Sequence, residues 1–156
     1  MNSSLRAIGV ACAVSSLAFG LTGCTPSDAA SARLVDNDLV FTFCQAIQAG
    51  RIEALVGVED GDASSYASIW QSDGEGVFSA GDEIILGQDP EGFQTSITFT
   101  GFPESQPDEA RIVFFVSDLD FEDASEGGIG ANFLLDQLSS DYWLHEGGRR
   151  SNEACD

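Results

Sequence analysis

The chain has 156 residues, with 26 acidic and 6 basic side chains, for a formal net charge of −20; every basic residue is an arginine. A polyanion of this kind meets repulsion on a nucleic acid instead of releasing counterions, so nucleic acid is excluded as a partner. Hydrophobic residues make up 43% of the chain, which excludes compositional disorder, and the length suits a single domain.

Taken in chain order, the first element is an export signal. Arg6 is the only charged residue before Asp28, and an apolar stretch runs from Ala7 to Leu21. That stretch is shorter than the roughly 20 apolar residues a membrane-spanning helix requires, and it suits a signal-peptide core. It ends in Leu21-Thr22-Gly23-Cys24, which resembles the bacterial lipobox. The resemblance implies cleavage before Cys24, with diacylglycerol joined to its thiol. Two acyl chains anchor a protein firmly where one does so only marginally. Residues 1–23 are then the signal peptide. Residues 24–33 are the lipidated cysteine and a small, polar, flexible tether (Thr25-Pro-Ser-Asp-Ala-Ala-Ser-Ala-Arg33), and 34–156 form an extracytoplasmic domain. Cleavage removes Arg6 and no acid, so the net charge moves from −20 to −21. No twin-arginine pair stands near the start, which points to the general secretion route; Arg149-Arg150 lies too late to serve. The lack of lysine beside abundant Gly, Ala, Asp and Glu suggests a G+C-rich bacterial genome, an actinobacterium first and a salt-adapted organism as the alternative.

On this reading the cysteines sort themselves. Cys12 leaves with the signal and Cys24 takes the lipid. Cys44 and Cys155 remain in an oxidising compartment, and a disulfide between them is expected. Their wide separation fits neither a Cys-X-X-Cys redox pair nor a zinc site.

The domain is patterned mainly with a period of two. Leu39–Cys44 reads as a strand with Leu39, Phe41 and Phe43 on one face. Ala49-Gly50-Arg51 reads as a turn, and Ile52–Val58 as a second strand with Ile52, Ala54, Val56 and Val58 alternating. Glu59-Asp60-Gly61-Asp62 has the composition of a loop. Tyr66–Gln71 is a strand with Tyr66, Ser68 and Trp70 on one side, closed by a turn at Ser72-Asp73-Gly74-Glu75-Gly76. Val77-Phe78 and Glu83–Leu86 continue the sheet, and Gln88–Gly92 turns. Thr95–Thr100 alternates with Ile97 and Phe99 inward. After a proline-containing loop over 102–109, Ile112–Val116 is apolar on both faces, as a central strand is. Asp118–Gly130 reads as a long acidic, glycine-rich loop. Asn132 is placed to cap a short helix carrying Phe133, Leu134, Leu135 and Leu138. Tyr142–His145 returns to strand, and Gly147-Gly148 turns toward Cys155. The expected fold is all-β: an antiparallel sandwich or barrel of seven to eight short strands, one short helix near the C-terminus and one disulfide.

Candidate sites are few. Asp118, Asp120, Glu122 and Asp123, with Glu126 in reach, could gather oxygens around a weakly held cation. An EF-hand starting at Asp118 is excluded, because Asp123 and Ile129 stand where glycine and glutamate are required. The run Glu59–Asp62 is a lesser candidate; for both, a solvated acidic loop is the simpler reading. His145, the only histidine, is the only available base for a nucleophilic triad, but no Gly-X-Ser-X-Gly elbow occurs. Chance pairs among 26 acids make a glycosidase reading weak. Trp70, Tyr142 and Trp143 could form an aromatic platform or simply fill the core. Gly127-Gly128-Ile129-Gly130 fits no phosphate-binding fingerprint. With no cofactor motif, the expectation is a non-enzymatic, membrane-anchored binding or interaction module. Its partners would be the membrane, through Cys24, and an envelope protein or glycan, with the protein itself a monomer. A structural envelope role without a ligand and an unrecognised hydrolase using His145 are the alternatives.

Overall fold

The computed structural model describes residues 28–60, 63–103, 109–117 and 128–155, the side chains at 59, 60, 63 and 64 aside. It is an antiparallel β-sandwich, as the sequence leads one to expect. Ten strands occur among the described residues: β1 (Ala30–Val35), β2 (Asp38–Phe43), β3 (Ile47–Asp60), β4 (Ala63–Phe78), β5 (Glu83–Ile85), β6 (Phe93–Ile97), β7 (Arg111–Ser117), β8 (Gly128–Leu134), β9 (Trp143–His145) and β10 (Arg150–Ser151). One sheet has the order β10-β9-β1-β2-β5 and the other β6-β4-β3-β7-β8. All pairings are antiparallel.

The core is built from the alternating apolar positions of both sheets. Ala32, Phe41, Ile84 and Leu144 stand in register across the first sheet. From the second come Ile52, Ala54, Trp70, Ile112, Phe114, Val116, Ala131 and Phe133. Phe41 and Phe114 stack between the sheets at 4.2 Å, and Phe43 lies 5.0 Å from Phe78 and 5.8 Å from Phe114. Such stacked and tilted aromatic contacts add to the stabilisation that area burial provides.

Several sequence readings need correction. Residues 30–33, assigned to the tether, form most of β1, and Ala30, Ser31 and Ala32 are fully buried. The folded part therefore begins before Leu34. The two-residue turn Asp36-Asn37 has positive φ at both positions, the geometry that matches the twist of a tight hairpin and that Asp and Asn tolerate. It folds β1 back onto β2, pairing Ala30 with Phe43.

Ala49-Gly50-Arg51 is a register shift inside β3, not a turn. The glycine-rich stretch 72–76 likewise continues β4, because Phe93 of β6 packs on Gly74 and Gly76. A Cβ on Gly74 would stand 2.3 Å from the Gly92 carbonyl oxygen, and one on Gly76 would stand 2.8 Å from the Phe93 ring. A second shift, between Ala54 and Leu55, puts Trp70 on the inner face while Ser68 and Tyr66 turn outward opposite Leu55 and Gly57. A shift opposite Gln71 does the same to Ile97, which is exposed, so that Phe93 supplies the buried anchor of β6. Bulges of this kind reverse the face that plain alternation assigns.

At the C-terminal side, Gly128–Gly130 and Asn132–Leu134 belong to β8 instead of a loop and a helix. The expected helix is reduced to a 3-10 turn over Leu135–Gln137, capped by no side chain. A second such turn, Glu146–Gly148, contains Gly147 at φ 78°. The expected Cys44–Cys155 disulfide is present, with Cα atoms 5.2 Å apart across a sequence separation of 111.

Candidate functional site

One cluster of charged and polar groups lies where β1 begins and β9 ends. Strands β1 and β9 place Ser31 opposite His145, on the face of the first sheet that points away from the core. His145 is nevertheless buried, because both chain termini of the folded part wrap over it. Its Nδ1 lies 2.9 Å from a carboxylate oxygen of Asp28. Its Nε2 lies 3.1 Å from the carbonyl oxygen of Glu153. The buried ring is thus held between a carboxylate and a backbone carbonyl, both of them acceptors. Arg149 donates to the same Asp28 oxygen at 2.8 Å and stands 3.2 Å from Nδ1.

The chain then closes a ring. Glu153 is two residues from Cys155, which is bonded to Cys44, and the Cys44 N–H donates to the Ala29 carbonyl at 3.0 Å. Asp28, His145, the segment 153–155, Cys44 and Ala29 thus form one closed circuit that fastens the first and last described residues to the end of the first sheet.

Beside this circuit is a small cleft of about 120 Å³ bordered by Arg111, Asn132, Gln137, His145 and Gly147. The Arg111 guanidinium donates to the Asn132 side-chain oxygen at 2.8 Å, and the Asn132 amide donates to Glu146 at 3.3 Å. Burial, with the Asp28 carboxylate adding to it, pushes the Glu146 carboxyl above its ordinary value. No family model, curated protein or solved structure matches the chain.

Of the three parts of a nucleophilic triad, the chain brings a histidine and a carboxylate into contact, His145 at the border of the cleft and Asp28 outside its lining. Where the nucleophile's hydroxyl would stand, Nε2 faces a backbone carbonyl instead. The hydroxyl of Ser31, the cross-strand neighbour of His145, makes no hydrogen bond among the described residues.

The aromatic platform does not assemble. Trp70 is fully buried between the sheets. Trp143 is buried beneath the Arg33 guanidinium, 4.2 Å from the ring centre. Tyr142 is half-buried under Arg150 and donates its hydroxyl proton to the Gln137 carbonyl at 2.8 Å.

Cys24 and the acidic candidates Asp118, Asp120, Glu122, Asp123 and Glu126 lie outside the described residues, as do Gly61 and Asp62. Among the described residues no three His, Cys, Asp or Glu side chains come together as a metal site.

Sequence reasoning missed Asp28, which it placed in the tether. The available signal was Asp36-Asn37: read as a hairpin turn, it carries the strand back to Ala30 and leaves Asp28 at the sheet's edge. It also missed a shallow groove of about 390 Å³ on the outer face of the second sheet, lined by Leu55, Tyr66, Val113, Gly130, Ala131 and Asn132. The groove exists because Gly130 has no side chain to fill it and the shift in β4 turns Tyr66 outward.

Proposed function

We propose that this protein is a membrane-anchored extracytoplasmic lipoprotein whose folded part acts by binding, not by catalysis. The observation that carries the non-catalytic reading is the state of His145. The one side chain suited to general-base work at neutral pH is buried, with one ring nitrogen against the Asp28 carboxylate and the other against a backbone carbonyl. The Cys44–Cys155 disulfide supports export, because such bonds persist in oxidising compartments. The lipobox-like Leu21–Cys24 supports anchoring.

The groove over Leu55, Tyr66 and Val113 is where an envelope protein or glycan chain finds apolar surface with a polar edge at Asn132. The anchor is tested by mass spectrometry of the protein extracted from membranes. Cys24 should be the N-terminal residue carrying diacylglycerol, and Cys24→Ser should release the protein to the soluble fraction. The binding reading falls if the purified protein turns over an ester, amide or glycoside substrate and loses that activity in His145→Gln.

A further inference from the structure

The leash that small polar residues suggest between lipid and domain is not what the fold provides. We propose that the end of the sandwich carrying the Cys44–Cys155 bridge lies against the membrane surface, held there by the Asp28–His145–Arg149 cluster, with the Asp36-Asn37 hairpin at the opposite pole pointing away. This rests on Cys24 being lipidated, the reading given above.

The argument starts from chain length. Asp28 is fastened by contacts of 2.8 Å and 2.9 Å to Arg149 and His145, and Ala29 by the Cys44 N–H at 3.0 Å. Cys24 is only four positions before Asp28. Four residues span at most about 14 Å even when fully extended. A lipid buried in the bilayer at Cys24 therefore keeps Asp28 within that distance of the headgroups. A free tether running to Arg33 would allow about twice as much.

Strand direction then decides which surface follows. Strand β1 runs from Ala30, paired with Phe43, to Val35, paired with Asp38. The near pole accordingly holds Phe43, Cys44, Cys155 and the loop Ser79–Asp82, whose Gly81 N–H donates to the Phe43 carbonyl at 2.8 Å. The far pole holds Asp36, Asn37 and Ser139, whose carbonyl accepts from the Leu34 N–H at 3.0 Å. The length of β2 separates the two by roughly 17 Å at about 3.4 Å per residue.

The test uses the full lipidated protein in vesicles of phosphatidylcholine and phosphatidylglycerol that contain a nitroxide-headgroup lipid. A fluorophore is placed on Ala80→Cys at the near pole or on Asp38→Cys at the far pole, both exposed positions, with the native disulfide kept intact. Quenching several-fold stronger at 80 than at 38 is the expected result. A Gly-Ser insertion of about 12 residues between Thr25 and Pro26 adds roughly 20 Å of reach and leaves the folded part untouched, so it should abolish the difference. Equal quenching at the two positions in protein shown by mass spectrometry to carry diacylglycerol overturns the orientation and leaves the anchor standing. Quenching that survives the insertion unchanged overturns the short-tether argument. Absence of lipid on Cys24 overturns the anchoring reading and this one with it.

Discussion

The circuit at the end of the first sheet makes a quantitative prediction. Asp28→Ala removes the carboxylate that faces both His145 Nδ1 and Arg149. The two arms are unequal. The Arg149 side chain is 49% exposed, so its ion pair is screened by water and contributes no more than about 0–1 kcal/mol. The His145 side chain is fully buried and that of Asp28 is 18% exposed. Loss of a charge-assisted hydrogen bond to a buried group costs about 1.5–3 kcal/mol. Together the loss should be about 2–3 kcal/mol, which for a domain of this size is a fall in Tm of about 6–12 °C. Calorimetry of the secreted Cys24→Ser form at neutral pH reads it directly, with the disulfide oxidised throughout. Asp141→Asn, an exposed site, is the reference and should stay within about 0.5 kcal/mol of the parent. A double-mutant cycle of Asp28→Ala with Arg149→Ala should show coupling below about 1 kcal/mol, which places the larger part on the histidine. If Asp28→Ala lowers Tm no more than Asp141→Asn, the ring of contacts does not hold the termini, and the short-tether argument loses its base.

Other consequences are as specific. Replacing Cys44 and Cys155 by alanine opens a loop of 111 residues and should cost about 4–5 kcal/mol in the chain-entropy account, read as a shift in urea midpoint. Gly74→Ala drives a Cβ into the Gly92 carbonyl and the Phe93 backbone and should destabilise by about 1–3 kcal/mol, whereas Gly81→Ala, where nothing lies within 4 Å, suffers only from its positive φ. Hydrogen bonds from Thr95 and Ser72 hold the Asp89 carboxyl below its ordinary value of 3.8. Its contribution is therefore present above that pH and lost as pH falls through the lower folded value, and Asp89→Asn should flatten the acid limb of the stability curve. Glu146 has the opposite sign. Its folded value is raised above 4.5, so its carboxylate costs stability as pH rises through that value. Glu146→Gln should raise Tm at pH 7, and the gain should vanish by about pH 4.

What could be read without coordinates is what the backbone pleat imposes locally. Leu39–Phe43 and Ile52–Val56 alternate because one side of each strand must be buried, and Ile112–Val116 is apolar on both faces as a central strand is; each proved to be a strand, with Leu39, Phe41, Phe43, Ile52, Ala54, Val56, Ile112, Phe114 and Val116 in the core. The Cys44–Cys155 bond followed from cysteine usage alone, since the resemblance at Leu21–Cys24 leaves those two thiols for an oxidising compartment. Tertiary packing decided the rest. Whether Gly74 and Gly76 make a turn or a strand depends on Phe93 resting on them, and no local pattern records that contact. Whether Tyr66 faces the core or the groove depends on one shifted residue in β4. Asp28 looks like solvated tether until Arg149, 121 positions away, closes on it beside a buried histidine. Alternation is a short-range property of the pleat, readable over a few residues. Bulges, close backbone approaches and ion pairs between the chain's ends belong to surfaces that meet only once the two sheets have closed.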